Sequence, residues 1–314
     1  MANIIAIAGP TASGKSALAL GVCREVSGEI VSFDSMQIYK NMNIGTAKPT
    51  RAEQAEIPHH LIDICEPTEK FSAADFAARA SRAVDEIHSR GKVAVLCGGT
   101  GLYLDGFLFG RDYGEIASDG ALRASLYDFA EKNGVAALHD MLAKLDPVAA
   151  ATIHENNVKR VVRAIEICKT SGMTKTEWDA EASLAPSKEA DIIILDFRDR
   201  EKLYARIDAR VDKMIAEGLT DETEKLYESG ALAPENTAAQ AIGYKEMLPY
   251  IKGETTLENA VENLKLATRH YAKRQLTWFR KYGGTRLYVD EYDTSDDLLK
   301  AALSALGGDD EKRI

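Results

Sequence analysis

The feature that most restricts the fold of this chain is a glycine-rich loop near its start. The segment Gly9-Pro-Thr-Ala-Ser-Gly-Lys-Ser16 fits the pattern G-x-x-x-x-G-K-[ST] and stands between the apolar run Ile4–Ala8 and the helical pattern Ser16–Val26. A strand, a glycine loop and a helix in this order are typical of loops that hold phosphate through backbone N–H groups and a helix N-terminus. The loop therefore predicts an anion site at the end of a strand in an α/β fold.

Apolar, β-prone runs alternate with helical patterns through the first third of the chain. After the loop the runs are Glu29–Phe33, His60–Ile64 and Val93–Cys97, and the clearest helical pattern is Ala73–Ser89. Strands that alternate with helices indicate βαβ units and a parallel sheet.

The character of the sequence changes at about residue 119. Strand-like runs disappear up to about residue 185, and helix formers dominate, with stops at Gly134, Pro147 and Gly172. A buried strand returns at residues 190–196, followed by helical patterns at 200–217 and 257–282, a short strand at 286–289, and a polar tail that we expect to fray. We therefore predict a catalytic core of residues 1–118 and 190–314, interrupted by an all-helical insertion of residues 119–189.

Composition excludes several classes of protein. An apolar run of roughly 18 residues is absent, and the N-terminus lacks the basic flank and cleavage site of a secretory signal, so we expect a cytoplasmic protein with no membrane span. The four cysteines are scattered without a CxxC pair, which argues against a zinc site or a disulfide framework. The net charge of −10 argues against nonspecific nucleic-acid binding by the whole surface but permits a local basic face.

Two residues of the glycine loop have expected roles in binding phosphate. Lys15 is expected to neutralise terminal phosphate charge, and the Ser16 hydroxyl is placed to reach Mg²⁺. Most such loops hold ATP or GTP, and the chain lacks the Asn-Lys-x-Asp segment of a guanine-specific switch. The loop alone leaves open which phosphate compound it holds, and a phosphotransferase remains one reading.

A carboxylate ends the second predicted strand. Because ligands collect at the carboxyl ends of parallel strands, Asp34 could hold Mg²⁺ through water or act as a general base. Asp196 ends another apolar strand and either competes for the Mg²⁺ role or caps the strand.

The segment Ser35–Tyr39 has polar side chains at alternate positions, which suits hydrogen bonding to the edge of a nucleic-acid base. A second glycine turn, after the strand Val93–Cys97, presents the hydroxyl of Thr100.

Five segments in order, and a basic helix after them, resemble the tRNA dimethylallyltransferases, also called isopentenyl-tRNA transferases, in their compact bacterial form. The segments are GPTASGKS, DSMQIYKNMNIGTAKP from Asp34, CGGTGLYL from Cys97, DPVAAATIHENNVKRVVRAIEI from Asp146 and QAIGYKE from Gln240, with the helix TRHYAKRQLTWFRK from Thr268. The resemblance covers nearly the whole chain apart from the acidic tail, and the later segments are much more specific than the glycine loop.

The resemblance implies a fold and a reaction. The fold is a P-loop kinase-like core with a helical insertion that grips the anticodon stem-loop of tRNA. The reaction moves a dimethylallyl group from dimethylallyl pyrophosphate to the exocyclic amine of the adenosine 3′-adjacent to the anticodon, releasing pyrophosphate. The glycine loop then holds the donor pyrophosphate rather than ATP, with Mg²⁺ as cofactor. We further expect a monomer.

The resemblance also assigns roles to residues of this chain. Asp34 takes the proton of the adenine amine, assisted by Lys15 and Thr100, while Ser16 holds Mg²⁺ and Asp34 can reach it through water. The residues implied to bind the donor pyrophosphate are Gly9, Thr11, Ala12, Ser13, Gly14, Lys15, Ser16 and Arg210. The residues implied to bind tRNA are Asp34, Ser35, Met36, Gln37, Thr100, Arg123, Asn157, Val158, Lys159, Arg160, Val161, Gln240, Ala241, Ile242, Gly243, Tyr244 and Lys245.

Two positions depart from the pattern of the family. Asn41 stands where glycine is common in the family. At position 157 the family usually has aspartate after the asparagine at 156, whereas this chain has a second asparagine, which leaves the role of Asn157 open.

Two basic faces are expected to contact RNA phosphates or else to form surface ion pairs. One face comprises Lys159, Arg160 and Arg163, and the other comprises Arg269, Lys273, Arg274, Arg280 and Lys281.

Other functions remain compatible with parts of the sequence. An ATP-dependent small-molecule or nucleotide kinase explains the loop and Asp34 but not the basic helices or the QAIGYKE segment. An RNA-binding module without activity would need no carboxylate at Asp34. Adenosine monophosphate is an alternative acceptor to tRNA, although the helical insertion and the basic faces favour tRNA.

Overall fold

The computed structural model describes residues 4–110, 119–181 and 187–307. Contacts divide the chain into two compact units, one of residues 1–107 with 189–314 and the other of residues 108–188. The junctions fall at 107/108 and 188/189, whereas the change in sequence character suggested 118/119 and 189/190. The first junction lies inside a helix, Gly101–Phe109, which the sequence pattern did not mark. The tail after Gly307 lies outside the described residues.

The larger unit contains a six-stranded sheet, which confirms the predicted α/β class. The strands are β1 (Ile4–Ala8), β2 (Gly28–Ser32), β3 (His59–His60), β4 (Val93–Gly98), β5 (Asp191–Asp196) and β6 (Thr285–Tyr288). Their order is β3-β2-β4-β1-β5-β6, and every neighbouring pair is parallel. All residues of β1 and β2 are buried, as expected of apolar strands in a parallel sheet with both faces covered.

The predicted strand His60–Ile64 is wrong in its length. β3 contains only His59 and His60, because Leu61 and Asp63 adopt positive φ angles of 63° and 55°. These left-handed conformations turn the chain out of the extended form that pairing with β2 requires.

In the larger unit the described helices alternate with strands from β1 to β4 and then follow one another between β5 and β6, whereas those of the smaller unit are consecutive. They are α1 (Lys15–Val26), α2 (Arg51–Glu56), α3 (Ala73–Ser89), α4 (Gly101–Phe109), α5 (Gly120–Asn133), α6 (Val135–Leu145), α7 (Pro147–Thr152), α8 (Val158–Ser171), α9 (Lys175–Glu181), α10 (Arg200–Ala216), α11 (Leu219–Glu228), α12 (Tyr244–Ile251), α13 (Leu257–Phe279) and α14 (Ser295–Gly307). Within the described residues, no helix has both the length and the apolar character needed to cross a membrane.

Two of the apolar clusters in the larger unit position the elements around the glycine loop. The first packs the sheet against α1 and α14 and includes Ile7, Leu18 and Leu298. The second packs the segment after β2 against α10–α13 and includes Tyr39 and Tyr244. The sheet therefore fixes α1 behind the glycine loop, while the second cluster fixes α13 and the segment that follows Asp34.

The smaller unit is all-helical in its described residues, and its helices end where the sequence indicated. Gly134 and Gly172 have φ angles of 87° and 74° and end α5 and α8, as expected of C-terminal glycines. Pro147 begins α7, because a missing N–H is tolerated in a first helical turn. Buried Asp146 caps α7 through the Ala149 N–H at 2.9 Å and also accepts a hydrogen bond from the Thr176 N–H at 2.8 Å.

The register of the sheet determines what lies beside the glycine loop. Ala8 at the end of β1 is level with Gly98 of β4, and Cys97 of β4 is level with Ser32 of β2. Because the strands are parallel, the loops that follow β1, β2 and β4 emerge at the same edge. The glycine loop, Asp34 and Thr100 are brought together for this reason.

Candidate active site

The glycine loop curls through two left-handed residues before α1 begins. Ala12 has a φ of 62° and Gly14 a φ of 87°. At Gly9, a Cβ atom would lie 3.0 Å from Cβ and 3.1 Å from the carbonyl oxygen of Leu195, so glycine is needed where the loop passes β5. The tight curl places the start of α1, at Lys15, towards the same edge of the sheet as Asp34.

Two N–H groups of this loop are already used inside the protein. The Thr11 N–H donates to Gln275 Oε1 at 2.8 Å, and the Ser13 N–H donates to the Pro10 carbonyl at 3.3 Å. The Ser13 side chain is fully buried, and its hydroxyl has no hydrogen-bond partner in the described structure. Since the first N–H groups of a helix lack intrahelical acceptors, the groups at residues 14–16 are the ones suited to an anion.

Lys15 carries a positive charge in a poorly hydrated position. Its ammonium group donates to the Pro10 carbonyl at 3.2 Å. Burial lowers the pKa of Lys15 and Arg210 lowers it further, against the opposing effects of Cys97 and Asp34. Burial also raises the pKa of the Cys97 thiol to about 11, so this neighbour is neutral at pH 7. A bound anion would supply the solvation that the Lys15 ammonium has lost.

The Asp34 carboxylate is oriented by its own turn. Oδ1 accepts hydrogen bonds from the Met36 N–H at 2.9 Å and the Gln37 N–H at 3.4 Å, whereas Oδ2 accepts none from the described residues. The next residue is fixed as well, because the Ser35 N–H donates to Thr100 Oγ1 at 3.0 Å. One carboxylate oxygen is therefore positioned by the backbone and the other is available for chemistry.

Helix α10 contributes two arginines, one turn apart, to this edge. Arg206 Nε donates to the Ala12 carbonyl at 2.9 Å and so braces the glycine loop. Arg210 lies deeper, and burial lowers its pKa while the Asp34 charge opposes that effect. The resemblance indicated Arg210, but Arg206 was not singled out.

Helix α13 contributes residues that the sequence did not single out for the site. Gln275 Nε2 donates to the Gly99 carbonyl at 3.0 Å while its Oε1 holds Thr11. Tyr271 lies one turn earlier, and burial and the Asp34 charge raise the pKa of its phenol, although Thr100 and Gln275 lower it. A neutral phenol and a fixed amide therefore border the same cavity as Lys15 and Asp34.

Two cavities meet at these residues. The smaller has a volume of about 60 Å³ and is bordered by Lys15, Ser16 and Cys97. The larger has a volume of about 420 Å³ and is bordered by Gln240, Ala241, Ile242 and Lys245 of the QAIGYKE segment. The residues common to both walls are Thr11, Asp34, Thr46, Arg210 and Tyr271.

One glutamate fixes the wall of the larger cavity. The Glu222 carboxylate accepts hydrogen bonds from the N–H groups of Asn43, Ile44 and Gly45 and from the Tyr244 hydroxyl at 2.6 Å. A Cβ at Gly45 would lie 2.5 Å from Cζ of Tyr244, so the glycine allows the two segments to touch. The segment after Asp34 and the QAIGYKE segment thus form one rigid wall.

Several residues that the resemblance linked to tRNA have structural roles instead of exposed side chains. Tyr244 is fully buried against Glu222, and Val161 is fully buried in the core of the smaller unit, so neither side chain has a surface for RNA. The Gln37 amide is occupied, since Oε1 accepts from the Ser32 hydroxyl and Nε2 donates to the carbonyls of Thr46 and Ala47. Ser35, Met36, Gln240, Ala241, Ile242 and Lys245 border the larger cavity, whereas Gly243 does not.

The first turn of α8 in the smaller unit presents exposed cations. Asn157 occupies the N-cap position without a side-chain capping hydrogen bond, and Val158 is half-buried. Lys159 and Arg160 are exposed without an ion pair among the described residues. Cations at a helix N-terminus are disfavoured by the helix dipole, so their presence favours a role in binding anions.

Arg123 and Arg163 are held by one carboxylate within the smaller unit. Both form ion pairs with fully buried Glu166, at 2.9 and 2.7 Å. Their charges are thus at least partly neutralised within the protein.

Two further residues raised by the sequence have clear surroundings in the structure. Asp196 pairs with Arg286 at 2.9 Å and with Arg200 at 3.4 Å, and it borders neither cavity, which supports its role as a strand-end anchor. Asn41 adopts a φ of 63°, a left-handed conformation that asparagine tolerates better than most residues, so it can replace glycine there.

Comparison with known proteins places this geometry in context. The sequence model of the family described as IPP transferase matches residues 37–282. A tRNA dimethylallyltransferase of Halalkalibacterium halodurans is 48% identical over 278 residues, 88% of either chain. Another, from Acetivibrio thermocellus, is 45% identical over 301 residues, 96% of either chain.

Solved structures of similar proteins extend over nearly the whole chain. The full-length tRNA isopentenylpyrophosphate transferase from Bacillus halodurans has a TM-score of 0.73 at 43% identity, covering 98% of this chain and 97% of that one. A eukaryotic dimethylallyltransferase acting on tRNA has a TM-score of 0.83 at 30% identity, covering 98% of this chain and 79% of that one.

Proposed function

The chain belongs to the IPP transferase family, and we propose that it is a prenyltransferase that modifies tRNA. The proposed donor is dimethylallyl pyrophosphate, and the proposed acceptor is the exocyclic amine of the adenosine 3′-adjacent to the anticodon. The proposal includes action in the cytoplasm as a monomer.

The observation that carries the proposal is the meeting of two cavities at Asp34 and Arg210. In this assignment the smaller cavity holds the pyrophosphate beside Lys15, and the larger cavity receives the extruded adenine. The allylic carbon then lies at the common wall, within reach of the amine.

The proposed step breaks the bond between the allylic carbon and the pyrophosphate oxygen and forms a bond from that carbon to the adenine nitrogen. Asp34 accepts the proton that the nitrogen loses, through the oxygen that the backbone does not occupy. Lys15, Arg210 and the N–H groups at the start of α1 stabilise the charge that develops on pyrophosphate.

The residues present fit a Mg²⁺ ion. The Ser16 hydroxyl and the Asp34 carboxylate both border the smaller cavity, and oxygen ligands are those that Mg²⁺ prefers. The described residues contain no cluster of three or more His, Cys, Asp or Glu side chains that could hold a metal ion. When bound, Mg²⁺ would neutralise charge on the pyrophosphate.

Lys159 and Arg160 are proposed to bind RNA phosphates. Replacing both with alanine should weaken tRNA binding and reduce its salt dependence, because each lost contact lowers the slope of log K against log salt by about one. Lys132→Ala is the matched control, because Lys132 lies in the same unit and is paired with Asp128 at 2.8 Å. An unchanged slope in the double variant would contradict this part of the proposal.

The test of the proposed function is transfer of radiolabelled dimethylallyl pyrophosphate, with Mg²⁺, into unmodified tRNA whose anticodon loop carries adjacent adenosines. A tRNA with guanosine 3′ to the anticodon and free adenosine monophosphate are the control acceptors. Label in the first tRNA alone is expected. Label in the free nucleotide would change the acceptor class, and acceptor-dependent formation of ADP from ATP would favour a kinase instead.

A further inference from the structure

The side chain of Gln275 joins two loops that follow different strands. Gln275 lies on α13 and is 5% exposed. Its Oε1 accepts from the Thr11 N–H at 2.8 Å, and its Nε2 donates to the Gly99 carbonyl at 3.0 Å. Since one end of the amide faces a donor and the other an acceptor, only one orientation satisfies both loops.

The second loop extends this connection to the carboxylate. Thr100 follows Gly99, and its Oγ1 accepts a hydrogen bond from the Ser35 N–H at 3.0 Å. Ser35 follows Asp34, whose Oδ1 is held by its own turn. Hydrogen bonds, together with the covalent bond from Gly99 to Thr100, therefore connect the glycine loop through Gln275 to the residue beside Asp34.

Backbone pairing does not supply this link. In the described part of the chain, no backbone hydrogen bond joins residues 10–15 to Gly99 or Thr100. The approach of the amide is also very close, because a Cβ at Gly99 would lie 2.1 Å from Nε2 of Gln275. The second glycine turn is thus shaped to receive this side chain.

We propose that Gln275 is a positioning residue that sets the separation between the donor pyrophosphate and Asp34. The inference rests on the proposed function, in which the glycine loop holds the donor and Asp34 takes the proton. A displacement of about 1 Å between reacting groups can lower a rate by about 10²-fold, so a fixed spacing matters for the transfer step. Gln275 acts through the two loops rather than by contact with the reacting atoms.

Two substitutions at Gln275 test its two hydrogen bonds, one by removing both and the other by removing only the bond to Gly99. Gln275→Met keeps the length and apolar packing of the side chain but loses both hydrogen bonds. Gln275→Glu keeps an acceptor for the Thr11 N–H but places an oxygen against the Gly99 carbonyl. Thr277→Val is the control on the same helix, because Thr277 is exposed and its hydroxyl donates to the Lys273 carbonyl.

The measurements are the single-turnover rate at saturating donor and tRNA, the Kd values of inorganic pyrophosphate and tRNA, and the midpoint of thermal unfolding. In both Gln275 variants we expect the rate to fall by about 10²-fold while the Kd values change less than about threefold. Thr277→Val should match the wild-type chain in all of these quantities.

Distinct outcomes would overturn the inference. A rate within about threefold of wild type in both variants would refute the positioning role. A parallel loss of pyrophosphate affinity and rate would show that Gln275 holds the donor instead. If Gln275→Met does not fold, Gln275→Glu decides the matter. Absence of transfer by the wild-type chain would refute the proposed function, which is a separate result.

Discussion

Glu29 holds three basic side chains near the start of β2. It is 2% exposed, and its carboxylate contacts Arg90 Nη2 at 2.7 Å, His60 Nε2 at 2.8 Å and Lys92 Nζ at 3.0 Å. Burial raises the pKa of Glu29, but the hydrogen bonds from Arg90, His60 and Lys92 together outweigh it and lower the pKa to about 2. Asp34 follows the other end of β2 by two residues.

The pKa of Glu29 gives the expected size of its contribution to stability. The difference between an ordinary value of 4.5 and about 2 corresponds to ~3 kcal/mol at 1.36 kcal/mol per pH unit. Since the folded-state pKa is depressed, this stabilisation is fully present above pH 4.5 and is lost as the pH falls towards 2. Glu29→Gln should therefore lower the free energy of unfolding by ~3 kcal/mol at pH 7, with a loss that shrinks below pH 4.5.

Urea unfolding of the wild-type and Glu29→Gln chains, followed by circular dichroism from pH 7 to pH 3, measures this difference. Glu56→Gln is the matched control, since Glu56 forms an exposed ion pair with Arg24 and should contribute much less. A loss in Glu29→Gln that is equal at pH 7 and pH 3, or no loss at pH 7, would refute the reasoning.

Three further predictions concern the site. The affinity for inorganic pyrophosphate should fall as the pH rises through the Lys15 pKa, which burial lowers from 10.5; a flat calorimetric profile up to pH 10 would contradict this. Arg210→Gln should weaken pyrophosphate binding by about 10- to 100-fold, as for the loss of a charge-assisted hydrogen bond, and an unchanged Kd would exclude Arg210 from the donor site. Gly45→Ala should lower the free energy of unfolding by about 1–3 kcal/mol, because its Cβ would press on Tyr244; an unchanged urea midpoint would disprove that clash.

The sequence was sufficient for features that depend on local patterns and on sheet geometry. Apolar runs marked the strands, and parallel pairing then required the glycine loop, Asp34 and Thr100 to share one edge of the sheet. The left-handed turn at Leu61 and Asp63 was missed because the apolar residues around it favoured a strand, although aspartate is one of the residue types that tolerate this conformation.

Gln275 and Tyr271 were missed for a different reason. Gln275 contacts a loop 264 positions earlier in the chain, and no local motif connects the two. A signal was nevertheless present, because Gln275 stands on the buried face of α13 with Ala272, Leu276 and Phe279. A polar residue at a core position of a helix predicts a buried partner, although not which one.

The resemblance of whole segments to the family did not show which residues have side chains free to contact tRNA and which have side chains packed in the core. Tyr244 and Val161 lie in segments assigned to tRNA, yet both side chains are fully buried. Lys159 and Arg160 lie in the same segment as Val161 and are exposed, because α8 turns only one face towards the core and these two residues lie on the other.

The measurement that tests the central claim most directly compares Asp34→Asn with the wild-type chain in single-turnover transfer to tRNA. Asparagine keeps the size of the side chain and an oxygen for the Met36 N–H but cannot take the proton. We expect the transfer rate to fall by about 10²- to 10⁴-fold, with unchanged Kd values for tRNA and inorganic pyrophosphate. A rate equal to that of the wild-type chain, or an equal loss of binding and rate, would contradict the account.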